Sequence, residues 1–255
     1  MDYAKGFCRV LQNKEIAQGF YDLVFEHPRM AELAKPGQFV HVVCGAKTLR
    51  RPISICGIDA AAGTIRMVYQ VRGEGTQWLS LIRPGDELDI LGPLGHGFER
   101  TDAEPVIFIG GGIGVPPLLE AAKCYDGRAE AILGFRGTES AILLDDFSAA
   151  CKTVAVATDD GSMGHHGFVT DILKQRLADG PCGLICACGP LPMLKLVAGL
   201  AQECDVPCQV SMEQRMGCGV GACLVCSCKT KLGKDERYVQ VCQYGPVMDA
   251  KEVVW

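Results

Sequence analysis

Val106-Ile-Phe-Ile-Gly-Gly-Gly-Ile-Gly-Val-Pro-Pro117 is the stretch that decides the fold, because it runs from an apolar strand through a glycine-rich turn into the start of a helix. Such a unit places backbone N–H groups where a pyrophosphate can bind. It is not the full G-x-G-x-x-G pattern, because Val115 stands where a final Gly or Ala is expected when counting from Gly110. A tight strand–helix turn without a ligand is the alternative. The candidate binding residues are Gly110, Gly111, Gly112 and Gly114.

The surrounding residues, from 104 to about 210, repeat this alternation of strand and helix. Apolar strands are predicted at 106–109, 131–135, 153–157 and 184–187, and helices at 117–124, 170–177 and 193–202. Continuously apolar strands that alternate with helices favour a parallel α/β sheet with helices on both faces.

Two further strand ends carry polar or reactive residues. Thr158-Asp-Asp-Gly-Ser162 follows the third strand, and Cys188-Gly-Pro190 follows the fourth. Ligands of open parallel sheets bind at the carboxyl ends of strands, so both segments are expected to converge on one crevice. Asp159 or Asp160 could accept a hydrogen bond from a ribose hydroxyl or could cap a turn. For Cys188, the alternative to a functional role is a buried thiol with a structural role only. Arg136 could bind a phosphate such as the one that distinguishes NADP from NAD, so NADP stays open although NAD is preferred.

Residues 1 to about 100 have the pattern of a β domain. Short strands are predicted at 38–44, 64–71 and 87–91, with turn residues between them, and one helix is predicted to start at Thr76. Several short strands at this spacing favour a barrel or a sandwich.

Two motifs in this zone suit the same pyrophosphate. Arg51-Pro-Ile-Ser54 supplies a guanidinium whose fork fits a phosphate, and Gly73-Glu-Gly-Thr76 opens the predicted helix. A plain turn is the alternative for each motif alone. Together they resemble the Arg-x-x-Ser and Gly-x-Gly-Thr pattern of the ferredoxin reductase-like flavoproteins. By that resemblance Ser54 bonds a flavin ring nitrogen, and the flavin-binding residues are Arg51, Pro52, Ile53, Ser54, Val68, Tyr69, Gln70, Gly75 and Thr76.

The C-terminal zone holds the most specific motif. Cys218, Cys223 and Cys226 have C-x4-C-x2-C spacing, and Cys242 follows after 15 intervening residues. This is the plant-type arrangement for a [2Fe–2S] cluster, in which a glycine-rich loop aims backbone N–H groups at the sulfurs. Cys228 stays open as a replacement for Cys226. Structural zinc is the alternative, although zinc sites usually contain two C-x2-C pairs and only one is well formed here.

The composition limits the classes of function. There are 25 Lys and Arg against 30 Asp and Glu, and no basic patch stands out, so nucleic-acid binding is not expected. The start MDYAKGFCRV does not have the pattern of a signal peptide, and prolines and a lysine interrupt the most apolar stretch, 183–201. We therefore predict a soluble, cytoplasmic protein without a membrane span. Most of the 15 cysteines are expected to be small buried hydrophobic residues in a reducing compartment.

The order of these parts resembles, across essentially the whole chain, the electron-transfer subunits of dihydroorotate dehydrogenase B. The resemblance lies in Arg51-Pro-Ile-Ser-Ile55, the GGGIGVPPL and ACGP segments, and MGCGVGACLVCSC with VCQYGPV. It implies a multidomain β plus α/β fold: an antiparallel FAD-binding barrel (1–101), a parallel α/β NAD-binding domain (102–210) and a small [2Fe–2S] domain (211–255). It also places Cys188 near the nicotinamide as the candidate catalytic residue.

The same resemblance implies a division of labour between two chains. FAD would exchange a hydride with NAD, and the cluster would carry single electrons between FAD and the FMN of a separate catalytic subunit that oxidises dihydroorotate to orotate. The three zones leave no length for a (β/α)8 barrel, so the catalytic subunit is expected to be a separate partner chain. The resemblance implies two copies of each chain in the assembly. The alternatives are the small subunit of a sulfide dehydrogenase-like or ferredoxin–NAD(P) oxidoreductase, and a non-enzymatic zinc-binding protein.

Overall fold

The N-terminal part of the chain is a closed barrel of six antiparallel strands. The computed structural model describes residues 2–232 and 235–255. The barrel strands are β1 (Ala4–Ala17), β2 (Phe20–Glu26), β3 (Phe39–Val42), β4 (Arg51–Asp59), β5 (Thr64–Gln70) and β6 (Glu87–Leu94). They close in the order β1-β2-β5-β4-β3-β6, which confirms the predicted barrel. The β1–β2 hairpin was not predicted, because β1 interleaves charged residues with its apolar ones.

Two short helices cover the barrel, α1 (Pro28–Leu33) and α2 (Glu74–Leu79). The second begins two residues earlier than predicted, after Gly73 in an extended conformation. The hydroxyl of Thr76 accepts hydrogen bonds from the backbone N–H groups of Arg72 and Gly73, at 2.9 and 3.2 Å. Thr76 is therefore the third residue of the helix and reaches back to satisfy N–H groups at its start.

The middle of the chain is a parallel α/β sheet, as predicted. Its strands are β7 (Val106–Gly111), β8 (Glu130–Phe135), β9 (Thr153–Thr158), β10 (His165–His166), β11 (Leu184–Cys188) and β12 (Cys208–Ser211), in the order β10-β9-β8-β7-β11-β12. Its helices are α3 (Pro116–Lys123), α4 (Leu144–Ala150), α5 (Val169–Asp179) and α6 (Leu191–Glu203). β7 and β11 are neighbours, so the glycine turn and the Cys-Gly-Pro segment leave the sheet side by side.

The C-terminal zone docks on this sheet. A hairpin of β13 (Ser227–Leu232) and β14 (Asp235–Gln240) leads through α7 (Val241–Tyr244) to β15 (Val247–Asp249). β15 pairs antiparallel with β12 and extends the sheet to seven strands. The proposed domain boundary between residues 210 and 211 falls inside β12. Among residues 2–232 and 235–255, no helix combines the length and the apolar character needed to cross a bilayer.

The barrel is packed against both other parts. Phe20, Cys56 and Val68 on its outer surface share a buried apolar cluster with α3 and the sheet. Phe39 and Leu94 share another cluster with Cys226 and Cys242. At the end of β6, the N–H of His96 donates to the carbonyl of Gly245 at 2.6 Å. These contacts bring the motifs from all three zones close to the barrel.

Candidate functional site

The four predicted cluster ligands lie in one loop and one helix, and backbone N–H groups point at every one of their sulfurs. The N–H groups of Val220 and Ala222 donate to Cys218 Sγ at 3.4 and 3.2 Å. Cys218 N donates to Cys223 Sγ at 3.4 Å, and Gly221 N donates to Cys242 Sγ at 3.2 Å. Cys242 N donates to Cys226 Sγ at 3.4 Å. Such donors stabilise negative sulfur, which is the form that binds iron.

The sulfurs form two pairs rather than one tetrahedral group. The side chains of Cys218 and Cys223 are hydrogen-bonded to each other, as are those of Cys226 and Cys242, and in each pair one backbone N–H also donates to the other residue's sulfur. Among residues 2–232 and 235–255, no three Cys, His, Asp or Glu side chains converge on one metal ion. A [2Fe–2S] cluster needs two thiolates at each iron, whereas structural zinc needs four around one ion. The residues present therefore fit a two-iron cluster better than zinc.

The loop also lowers the cost of deprotonating Cys218. Burial raises the pKa of Cys218, but hydrogen bonds from Val220, Cys223 and Ala222 outweigh burial and bring the pKa to about 7. Burial, followed by the hydrogen bond with Cys226, raises the pKa of Cys242 to about 12. A thiolate at Cys242 therefore requires the positive charge of bound iron.

Cys228 has a different environment from Cys226. Cys226 lies in the turn before β13, and its sulfur accepts the Cys242 N–H. Cys228 lies inside β13 opposite Val239 and is 7% exposed; it shares the buried apolar cluster of Cys226, but within residues 2–232 and 235–255 its sulfur receives no backbone N–H. Burial, and then the proximity of Cys226, raises the pKa of its thiol. This supports Cys226 as the ligand and Cys228 as a core residue.

The two pyrophosphate motifs of the barrel meet in space. Arg51 is the first residue of β4, and its guanidinium lies across the first turn of α2. A Cβ atom added to Gly75 would stand 2.7 Å from Arg51 Nε, so only glycine allows this approach. Lys47 pairs with Glu74 at the same place. A permanent positive charge beside the N–H groups at a helix start fits a bound pyrophosphate.

The other predicted flavin residues lie on adjacent strands of the barrel. Ser54 is half-buried on β4, beyond Pro52 and Ile53. On β5, Val68 faces the α/β part, and Gln70 is half-exposed. Tyr69 points into the barrel, where its hydroxyl donates to Asn13 Oδ1 at 3.0 Å and its ring stacks on Tyr21. Tyr69 can therefore reach a flavin only through its backbone.

The glycine turn after β7 contacts the Cys-Gly-Pro segment, so the two predicted strand ends do converge. A Cβ at Gly114 would collide with the backbone carbonyl of Cys188. A Cβ at Gly111 would stand 2.9 Å from Pro190 Cδ, and one at Gly110 would stand 2.7 Å from a methyl group of Val115. Gly112 has a φ of +54° in the 3₁₀ turn that follows. Close approach, rather than ligand contact alone, explains most of these glycines.

Cys188 is 3% exposed at the end of β11, where its register partners are Gly110 on β7 and Ser211 on β12. Burial, and then the charge of Glu213, raises the pKa of its thiol to about 12. It therefore remains a neutral thiol rather than a nucleophilic thiolate.

The two predicted aspartates lie on the same edge of the sheet, two strands from the glycine turn. Asp160 Oδ1 accepts the N–H of Ser162 at 2.9 Å, so Asp160 caps its own turn. Asp159 is exposed. Of the two, Asp159 has its carboxylate better placed for a ligand.

His41 is a candidate residue that the motifs missed. It is 0% exposed on β3, and burial followed by the charge of Arg50 lowers its pKa to about 4. A Cβ at Gly219, in the cysteine loop, would stand 2.7 Å from His41 Nδ1. The signal in the sequence was a single polar residue in the apolar run from Phe39 to Cys44.

The antiparallel barrel, the parallel sheet with its glycine turn and the appended four-cysteine loop define a ferredoxin reductase-like protein with an iron–sulfur domain. Residues 213–254 match the family model for the iron–sulfur cluster binding domain of dihydroorotate dehydrogenase B. The electron transfer subunit of dihydroorotate dehydrogenase B (NAD(+)) from Caldanaerobacter subterraneus is 40% identical over 250 residues, with 97% of this chain and 98% of that protein covered. The Geobacillus kaustophilus protein of the same name is 42% identical over 254 residues, with 96% of each covered. The chain belongs to this family of electron transfer subunits.

Solved structures agree on the fold. An NADH-dependent reduced ferredoxin-NADP oxidoreductase, studied for flavin-based electron bifurcation, superposes with a TM-score of 0.88 at 30% identity, covering 99% of this chain and 91% of that one. The ferredoxin reductase of a carbazole 1,9a-dioxygenase superposes with a TM-score of 0.67 at 20% identity, covering 81% and 68%. The second similarity shows the fold alone.

Proposed function

We propose that the chain carries electrons from a separate catalytic subunit, which oxidises dihydroorotate in pyrimidine biosynthesis, to NAD⁺, with FAD and a [2Fe–2S] cluster as its cofactors. When bound, FAD supplies two-electron exchange with the nicotinamide, and the cluster supplies one-electron exchange with the partner. The observation that carries the proposal is the loop whose backbone N–H groups point at the sulfurs of Cys218, Cys223, Cys226 and Cys242. It occurs in a chain about 40% identical to named electron transfer subunits.

In the cluster domain, proposed as residues 211–255, the protein supplies four thiolates and the N–H groups that stabilise them. Cys218 and Cys223 would bind one iron, and Cys226 and Cys242 would bind the other. Cys223 is exposed, whereas Cys226 and Cys242 are buried towards the barrel. This arrangement is supported by the buried apolar cluster that Phe39 and Leu94 of the barrel share with the buried pair. The cluster would thus have one side towards solvent and one side towards the flavin.

In the barrel, proposed as residues 1–101, the protein holds the flavin by its phosphates and its ring. Arg51 and the N–H groups of Gly75 and Thr76 would bind the pyrophosphate. Ser54 would donate to the ring, and the backbone of Pro52 and Ile53 on β4 would line one side of it. The backbone of β5 from Val68 to Gln70 would line another.

In the α/β domain, proposed as residues 102–210, the turn of Gly110, Gly111, Gly112 and Gly114 would bind the pyrophosphate of NAD. Asp159 is the stronger candidate of the aspartate pair for a ribose hydroxyl. Cys188 would stand beside the nicotinamide as a neutral, buried thiol. Its role there would be to fill space and exclude water, because a thiol with a raised pKa does not readily ionise and is a poor nucleophile.

The partner is expected to bind at the exposed side of the cysteine loop. Val220, Leu224 and Val225 are 37%, 62% and 54% exposed, and they flank the exposed Cys223. Apolar side chains at one exposed tip are typical of a protein interface. We propose an FMN-containing dihydroorotate dehydrogenase as the partner, with two of each chain in a cytoplasmic assembly.

The test uses the full chain with its cofactors. Alone, it should oxidise NADH with an artificial electron acceptor and should form no orotate from dihydroorotate. Addition of the FMN subunit should couple dihydroorotate oxidation to NAD⁺ reduction. Formation of orotate by the lone chain, or a preparation without flavin and iron, would contradict the proposal.

A second function is favoured by the 30% identity to the reduced ferredoxin-NADP oxidoreductase. In that case the chain would serve ferredoxin and NADP rather than dihydroorotate. The assay separates the two, because reduced ferredoxin would then replace the FMN subunit as electron donor.

A further inference from the structure

His41 is a buried imidazole whose ring nitrogens lack a hydrogen bond inside the part of the chain that the structure describes. The residue is 0% exposed, and both Nδ1 and Nε2 are without a partner there. A buried polar group without a partner is costly, and native proteins rarely leave one unpaired. A bound group that the protein holds at this place is therefore expected to pair with the ring.

The strand directs His41 out of the barrel and towards the cysteine loop. Val40 and Val42 belong to the apolar core inside the barrel. Side chains alternate along a strand, so His41 and Phe39 lie on the opposite face. Phe39 on that face belongs to the cluster of buried residues that includes Cys226 and Cys242.

The imidazole contacts the loop beside a predicted iron ligand. Gly219 follows Cys218 and has a φ of +75°. A Cβ there would stand 2.7 Å from His41 Nδ1 and 2.9 Å from Cε1. The absent side chain at Gly219 therefore leaves the space that the His41 ring fills.

The backbone of His41 is also held by its pairing with β4 and by a hydrogen bond from Arg50. Pro52 of the Arg51-Pro-Ile-Ser54 motif is the register partner of His41. Arg50 Nη1 donates to the carbonyl of His41 at 3.2 Å, and Arg50 Nη2 binds the carboxylate of Asp89 at 2.8 Å. The ring thus stands between the strand proposed to bind the flavin and the loop proposed to bind the cluster.

We propose that His41 donates a ring N–H hydrogen bond to a sulfur of the cluster held by Cys218, Cys223, Cys226 and Cys242. Either tautomer of an imidazole carries one N–H. A donor to sulfur stabilises the extra negative charge of the reduced cluster, so His41 would raise its reduction potential. Because the donor comes from the barrel, the potential depends on the docking of the barrel against the loop.

This inference rests on the proposed function, because it requires a cluster in the loop. The first test uses the full, cofactor-loaded chain labelled with ¹⁵N only in histidine. Pulsed EPR of the reduced cluster should show coupling to a ¹⁵N nucleus, and the coupling should be absent in His41→Leu. A normal cluster signal without histidine coupling, or coupling to the flavin only, would overturn the inference and leave the proposed function intact. Absence of any cluster signal would overturn both.

The second test is a redox titration of variants, followed by EPR. At a fixed potential, His41→Leu should lower the ratio of reduced to oxidised cluster by several-fold to tenfold, a tenfold change being about 59 mV for one electron. His41→Gln keeps an N–H donor and should recover part of the shift. His166→Gln is the matched control, since His166 is exposed on β10, and it should leave the potential unchanged. Equal potentials for the leucine variant and the unaltered chain would contradict the inference even if activity fell.

Discussion

Gly75→Ala should weaken FAD binding without weakening the fold. A Cβ at this position would stand 2.7 Å from Arg51 Nε and 3.2 Å from Cζ, so the guanidinium must move off the helix start. The guanidinium is the end of a flexible side chain, and alanine favours a helix by about 0.5–1 kcal/mol over glycine. The free energy of unfolding of the apoprotein should therefore stay the same or rise.

The loss in binding follows from what Arg51 would contribute to the pyrophosphate. A hydrogen bond to a charged group is worth about 1.5–3 kcal/mol. At about 1.4 kcal/mol per factor of ten, Gly75→Ala should raise the Kd for FAD by about tenfold to hundredfold, and no more than Arg51→Ala does. The assay is titration of the apoprotein with FAD, followed by quenching of flavin fluorescence.

Gly73→Ala is the matched control, because a Cβ there meets no atom within 4 Å and the residue is extended. It should change FAD affinity little. Equal affinities for Gly75→Ala and Gly73→Ala, with Arg51→Ala much weaker than both, would refute the role of the Gly75 approach. Equal affinities for all variants would refute the pyrophosphate site.

Three further predictions follow from other parts of the site. Cys226→Ser should abolish the cluster absorption, whereas Cys228→Ser should retain it at a small cost in stability; retention in the first variant and loss in the second would exchange their roles. Gly114→Ala should destabilise the α/β domain and slow NADH oxidation strongly because the new Cβ meets the backbone of Cys188, whereas Gly199→Ala in α6 has open space and should be neutral or slightly stabilising in thermal unfolding. Burial raises the pKa of Cys56 and of Cys188 from the ordinary value of 9.0 to about 12, so their stabilising effect is complete below pH 9 and is lost as the pH rises towards 12. Denaturant unfolding should become easier across that range, and a Cys56→Ala variant, although less stable at neutral pH, should show a shallower decline.

The spacing of short strands and turn residues predicted the barrel, and the alternation of apolar strands with helices predicted the parallel sheet. The arginine and glycine motifs predicted that Arg51 and Gly75 would serve one site. The convergence of Gly114 with Cys188 was also predictable, since both follow neighbouring parallel strands. The β1–β2 hairpin was not, because one side of β1 faces solvent and its apolar residues do not form a run.

The role of His41 could not be read from spacing. Its environment comes from Gly219, which is distant in sequence, and from the packing of the barrel against the cysteine loop. The sequence also could not separate the roles of Asp159 and Asp160, because the hydrogen bond from the Ser162 N–H to Asp160 is visible only in the folded turn. Residues whose function depends on contacts between domains remain outside the reach of motifs.

The most direct test of the electron-transfer account is an anaerobic titration of the intact chain with NADH, read by absorption and EPR together. The account predicts about two irons and two acid-labile sulfides per chain, bleaching of both flavin and cluster bands, and a reduced-cluster EPR signal that grows as NADH is added. A chain that binds one zinc ion and no sulfide, or whose flavin bleaches while no iron signal appears, would contradict it.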